Sequence, residues 1–204
     1  MGKVLQFSVK PPAKFGFERV KKRKKAEATK HGQLSLFSAT GGQVLRLPSN
    51  VSPFEEALVL DERGDGRAEE IYWRAIEEGD SIADAYCNLG ILESKAGRTA
   101  KAFDCFTKSL EHDPRHFESH YNLGNVYFEG GNLRLAKMHY ELAAEVEPGF
   151  PNLYFNLGLV HALSSDHPAA LSALSRYKEL SPNEEGANAD ELLENLKRSI
   201  TTKS

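Results

Sequence analysis

Three asparagines, Asn88, Asn122 and Asn156, stand 34 residues apart from one another. A side-chain amide presents a donor and an acceptor side by side. A column of such amides is therefore suited to hold the backbone of an extended peptide without reading its sequence. Catalytic and metal chemistry fit the chain less well. His112, His116 and His120 recur every four residues, but Pro114 interrupts them, and metal ligands must converge in space as well as in sequence. Cys87 and Cys105 are the only cysteines and lack metal-ligand or CxxC spacing, the pattern of two reduced thiols in a cytoplasmic protein. Gly64-Asp65-Gly66 lacks the Lys and the Ser or Thr of a phosphate loop. No set of nucleophile, base and orienting acid can be assembled. The expectation is a binding protein with no catalytic residues, no cofactor and no metal.

The charge is divided along the chain. Residues 1–50 hold 11 Lys and Arg against only Glu18 and Glu27, a balance of +9, whereas the remainder stands at -12. A basic arm on an acidic body suggests either an anionic partner or association of arm with body. The run Lys21, Lys22, Arg23, Lys24 and Lys25 would neutralise phosphates. Without interleaved aromatics or a groove-reading helix, any contact with nucleic acid through it would be non-specific. No apolar stretch approaches the ~18–20 residues that would span a membrane, so no membrane insertion is expected.

The elements that must position the asparagines are legible from an internal repeat. Leu89-Gly90, Leu123-Gly124 and Leu157-Gly158 keep the 34-residue step. So do Ala102, Ala136 and Ala170, then Phe106, Tyr140 and Leu174, then Pro114, Pro148 and Pro182. Within one unit Tyr121, Leu123, Tyr127 and Phe128 form a helical apolar face, Gly130-Gly131-Asn132 breaks it, and Leu133, Ala136, Tyr140 and Ala143 resume it. Each unit thus reads as two helices. Gly124 and Ala136 would let their backbones approach closely while Leu123 and Tyr140 fill the space beside them. Pro148 ends the second helix, since it has no amide hydrogen and restricts the residue before it.

This pattern of Leu-Gly, aromatic, Ala, aromatic and closing Pro resembles the tetratricopeptide repeat. The resemblance implies an all-α fold: helix-turn-helix repeats stacked in a right-handed superhelical solenoid. It covers three full units, 83–116, 117–150 and 151–184, the third being the end of the stack because Ser165 replaces the turn glycine and Tyr177 a small residue. A degenerate unit, 49–82, precedes them. Its first helix would open with Ser52 as cap, Pro53 in the first turn and Glu55 completing a capping box. Residues 185–204 would supply a C-terminal capping helix with Ala189, Leu192 and Leu196 on one face, as a finite stack requires. Residues 1–48 show no such period and read as a flexible arm.

In this family the concave face is lined by the first helix of each unit. The expected peptide groove is Asn88, Ile91, Tyr121, Asn122, Asn125, Phe128, Phe155, Asn156 and Leu159, with Tyr121 and Phe155 as aromatic anchors. Members that bind chaperone tails carry a Lys one residue before the ladder asparagine; here Cys87, Tyr121 and Phe155 stand there, so a terminal-carboxylate clamp is not implied. Gln33, Leu34, Leu36 and Phe37 in the arm resemble the pentapeptide by which bacterial replication and repair proteins dock on the sliding clamp. The resulting expectation is a monomeric, cytoplasmic, non-enzymatic adaptor that binds a protein or peptide in its groove. The alternative is an accessory protein recruited to nucleic acid or a sliding clamp through the arm.

Overall fold

The computed structural model describes residues 16–21, 51–181 and 187–201. Among them are nine helices: α1 Pro53–Glu62, α2 Ala68–Glu77, α3 Ile82–Lys95, α4 Thr99–His112, α5 Phe117–Glu129, α6 Leu133–Val146, α7 Pro151–Leu163, α8 His167–Leu180 and α9 Ala187–Thr201. No strand occurs among the described residues. Each helix packs chiefly on its neighbours in sequence, and α3 also reaches α5. This is the near one-dimensional connectivity of a solenoid. None of the described helices is long and apolar enough to cross a membrane.

The helix pairs form where glycine meets a large side chain. A Cβ on Gly90 would lie 2.6 Å from the Phe106 ring, one on Gly158 would lie 2.6 Å from Leu174, and one on Gly124 would strike the Tyr140 ring. These are the Leu-Gly columns of α3, α5 and α7 packed against α4, α6 and α8. Phe106, Tyr140 and Leu174 are fully buried at these crossings. The turns inside the repeats need a left-handed residue, and Gly97 and Gly131 supply it with φ of 75° and 74°. At the equivalent place in the last repeat Ser165 is held at φ 62°.

At the ends of the stack, Ser52 Oγ accepts the Glu55 N–H at 3.3 Å and Asp80 accepts the Phe54 N–H at 2.8 Å. These bonds cap α1 and tie it to the turn before α3. At the other end Ala189, Leu192, Leu193 and Leu196 of α9 bury themselves with Ala170, Leu174 and Tyr177 of α8.

Gly124→Ala is expected to lower stability by about 1–3 kcal/mol, because the Tyr140 ring must leave its packed position. Ser165→Gly is expected to raise it by about 1 kcal/mol by relieving the left-handed backbone. Urea unfolding of the two variants beside the wild type reads both; shifts of the same sign would contradict this account of the repeat.

Candidate peptide groove

A short stretch of the basic arm, residues 16–21, lies across α3 and α5. Asn88 Oδ1 accepts the Val20 N–H at 3.0 Å while Asn88 Nδ2 donates to the Val20 carbonyl at 3.2 Å. Asn122 does the same with Glu18, its Oδ1 accepting the N–H and its Nδ2 donating to the carbonyl, both at 2.8 Å. Asn125 Nδ2 donates to the Gly16 carbonyl at 3.1 Å. In an extended chain the N–H and C=O of one residue point to the same edge, and alternate residues repeat that edge. Each amide therefore pairs with residue 18 or 20 as a neighbouring strand would. The segment runs from α5 toward α3, against the order of the repeats.

Its side chains are held as well. Val20 is fully buried in the cluster of Phe54, Ala57, Tyr72, Leu89 and Ile91. Phe17 stacks on Phe106 with centroids 6.1 Å apart. Arg19 Nη2 lies 2.8 Å from Asp61 Oδ1 on α1. Asp61 Oδ2 accepts the Tyr72 hydroxyl at 3.2 Å, and that hydroxyl in turn accepts from Asn88 Nδ2 at 3.2 Å. One chain of polar contacts thus joins the Arg19 ion pair to the Val20 backbone. Burial is the main influence on the Glu18 carboxyl; although Lys21 opposes it, the net effect with the nearby Glu118 is to push the pKa up.

Residues 83–116 and 105–138 each match the tetratricopeptide-repeat family. Residues 83–138 are therefore tetratricopeptide repeats. It is 28% identical over 116 residues to the BBSome complex member BBS4 of Bos taurus, a match covering 57% of this chain and 22% of that protein. A second relative, anaphase-promoting complex subunit 3 of Schizosaccharomyces pombe, is 29% identical over 103 residues, covering 50% of this chain and 16% of that one. The chain thus spans about a fifth of the length of these curated relatives. Among solved structures, the first repeat domain of Spaghetti (RPAP3) bound to the HSP90 peptide SRMEEVD superposes with a TM-score of 0.55 at 23% identity, covering 58% of this chain and 93% of that one. At these identities the likeness to solved structures speaks to the fold.

The tetratricopeptide face places the expected groove residues unevenly. Asn88, Asn122 and Asn125 reach residues 16–21, and Ile91 shares the Val20 cluster. Asn156 Nδ2 donates to Tyr121 Oη and Asn125 Oδ1, each at 3.1 Å. Tyr121 and Phe155 are each 1% exposed, Tyr121 packing among Phe117, Tyr140 and Phe150 and Phe155 against Tyr177. Both rings join helix to helix. Leu159 is buried with Leu174, and Phe128 is half-buried beside the same cluster. Residues 16–21, expected to be flexible, lie against the helices instead. Lys21 is exposed at the end of the docked stretch, whereas Lys22, Arg23, Lys24 and Lys25 and the motif Gln33, Leu34, Leu36 and Phe37 lie outside the described residues. Asp61 was missed by the sequence reading. Its signal is its register: with Phe54, Ala57 and Leu58 it completes the buried face of α1, a carboxylate at an apolar position.

Among the described residues no group of three or more His, Cys, Asp or Glu could hold a metal. Burial raises the thiol pKa of Cys87, which lies within reach of Asn122 Nδ2 at 3.5 Å, and pushes Cys105 up to about 11, so neither is a ready nucleophile. The histidines make separate contacts. His116 Nε2 sits 2.8 Å from Asp84, while His120 Nδ1 faces His139 Nδ1 at 3.1 Å.

The His120–His139 pair gives a pH test. Burial, then His120, pulls His139 down to about 4, and burial lowers His120 despite its contact with the Pro114 carbonyl. Both are depressed bases, so the unfolded chain binds protons first. Their contribution is complete above the unfolded pKa of about 6.5 and is lost as pH falls toward 4. Discounted for partial solvent access, the loss from pH 7 to pH 5 should be about 1 kcal/mol larger in the wild type than in His139→Phe. Urea unfolding at the two pH values measures it; equal losses would show that the pair is not buried in its neutral form.

Proposed function

We propose that this chain is a non-enzymatic protein-interaction module, a monomeric cytoplasmic adaptor, whose concave face receives an extended polypeptide segment. The observation that supports this most is the two-point pairing of Asn88 and Asn122 with the N–H and C=O of single residues in the arm. Such pairing recognises backbone, and it leaves specificity to the side-chain contacts around it. The fold is compatible with that use, since the similar repeat domain of Spaghetti was solved with an HSP90 peptide bound. The mode would differ from a terminal-carboxylate clamp, because Cys87, Tyr121 and Phe155 stand where the clamp lysine would.

Each amide contact should contribute about 0.5–1.5 kcal/mol net. Asn122→Ala in the full chain should therefore weaken peptide capture by a few-fold to about tenfold, and Asn88→Ala with Asn122→Ala by far more. A displayed library of linear peptides, selected on the full chain and on the double variant, tests this. The intact chain should enrich extended sequences that the double variant does not retain while its thermal melt stays cooperative. Enrichment of the same peptides by both proteins would place binding elsewhere.

A further inference from the structure

The groove described above is already filled, and what fills it defines both a competitor and a partner. Resting on the groove reading, we infer that residues 16–21 are a resident ligand. A partner protein gains the site by presenting, in the same direction, an extended segment in which a basic residue is followed by a β-branched aliphatic one, so displacing the arm.

Three features carry the pattern. The position after the basic residue is the most demanding, because Val20 has no exposed surface and belongs to the core cluster that α1 to α5 share. The basic position is set by Asp61, whose side chain is only 4% exposed and is the acidic partner of Arg19. A buried carboxylate left without its cation is costly, which gives this position discrimination and not only attraction. Phe17 adds an aromatic contact on Phe106. The direction is fixed because Gly16, Glu18 and Val20 pair in turn with Asn125, Asn122 and Asn88.

Glu18 of the resident segment is half-buried, and burial pushes its carboxyl up against the opposing pull of Lys21. Meanwhile a tethered segment competes at an effective concentration on the order of millimolar. A modest ligand held that way lowers the apparent affinity of an outside peptide by roughly tenfold. Occupancy would then rise only for partners that match the pattern well or are locally concentrated.

The test uses the full chain and a labelled synthetic peptide with the sequence of residues 13–24, followed by fluorescence anisotropy. The arm is released by Arg19→Glu with Val20→Asp, and separately by Arg19→Glu alone as the milder change should the double variant lose its cooperative melt. The peptide should bind the released chain about tenfold more tightly than the wild type. A peptide with Gln in place of its Arg19 equivalent should bind the released chain several-fold more weakly, and that difference should vanish when Asp61→Asn is added. Equal binding to wild type and released chain would overturn the resident ligand while leaving the groove intact. Indifference to the Arg-to-Gln change would overturn the basic-residue preference. No binding of the peptide to any folded, released variant would overturn the groove reading itself.

Discussion

Everything in this molecule depends on the close crossing of two helices at a glycine. Gly90, Gly124 and Gly158 each leave the space into which Phe106, Tyr140 or Leu174 is driven, so that each helix pair closes tightly and the pairs can stack. The same glycines set the groove. Residues two apart on a helix are rotated by about 200°, so Asn88 and Asn122, two positions before Gly90 and Gly124, point away from the partner helix and onto the inner surface. Packing on one side of the first helix thus fixes the presentation of amides on the other.

The ring on the second helix sets which hydroxyl, if any, each ladder amide meets. Sixteen positions before each ladder asparagine stands Tyr72, Phe106 or Tyr140. The tyrosines carry hydroxyls that engage the amide: Tyr72 Oη accepts from Asn88, and Tyr140 Oη lies within 3.5 Å of Asn156 Nδ2. Phe106 has no hydroxyl, and both of the amide's hydrogen-bonding atoms in Asn122 engage Glu18. In the last repeat the Asn156 amide donates to Tyr121 Oη and to Asn125 Oδ1 as well. Three residues of one type at one repeat position therefore have three different environments.

That distinction marks the limit of what a sequence can convey here. The repeat, the two helices per unit and the steric role of Gly124 follow from period and side-chain size, which act locally. What Tyr121 and Phe155 touch is less local: a ring beside the ladder can turn to the inner surface or to the next helix, and their contacts with Phe117, Phe150 and Tyr177 depend on which neighbours fill the space. The docking of Val20 on Asn88, 68 positions away, has no periodic signature. It is a pairing of an irregular segment with a regular surface. The opposite charges of arm and body were visible, but screening beyond about 8 Å means that they could not say which arm residue would find which acid.

The same screening explains why charge alone does not hold the arm. Of residues 16–21, the contact on Asp61 is a close ion pair, while five hydrogen bonds join the backbone to asparagine amides, three donated by Nδ2 and two accepted by Oδ1. At about 1 kcal/mol net apiece, with about 2 kcal/mol for burying Val20 and about 1 kcal/mol each for the Phe17 stack and the ion pair, the docked segment gains about 9 kcal/mol. Ordering six backbone residues costs roughly 1–2 kcal/mol each, which is the same size. An arm balanced in this way occupies its groove because it is attached, and an unattached segment with one better side chain can take its place. The backbone pairing that tolerates many sequences and the buried Asp61 that favours few are in this sense complementary: the first makes the site general, and the second makes exchange selective.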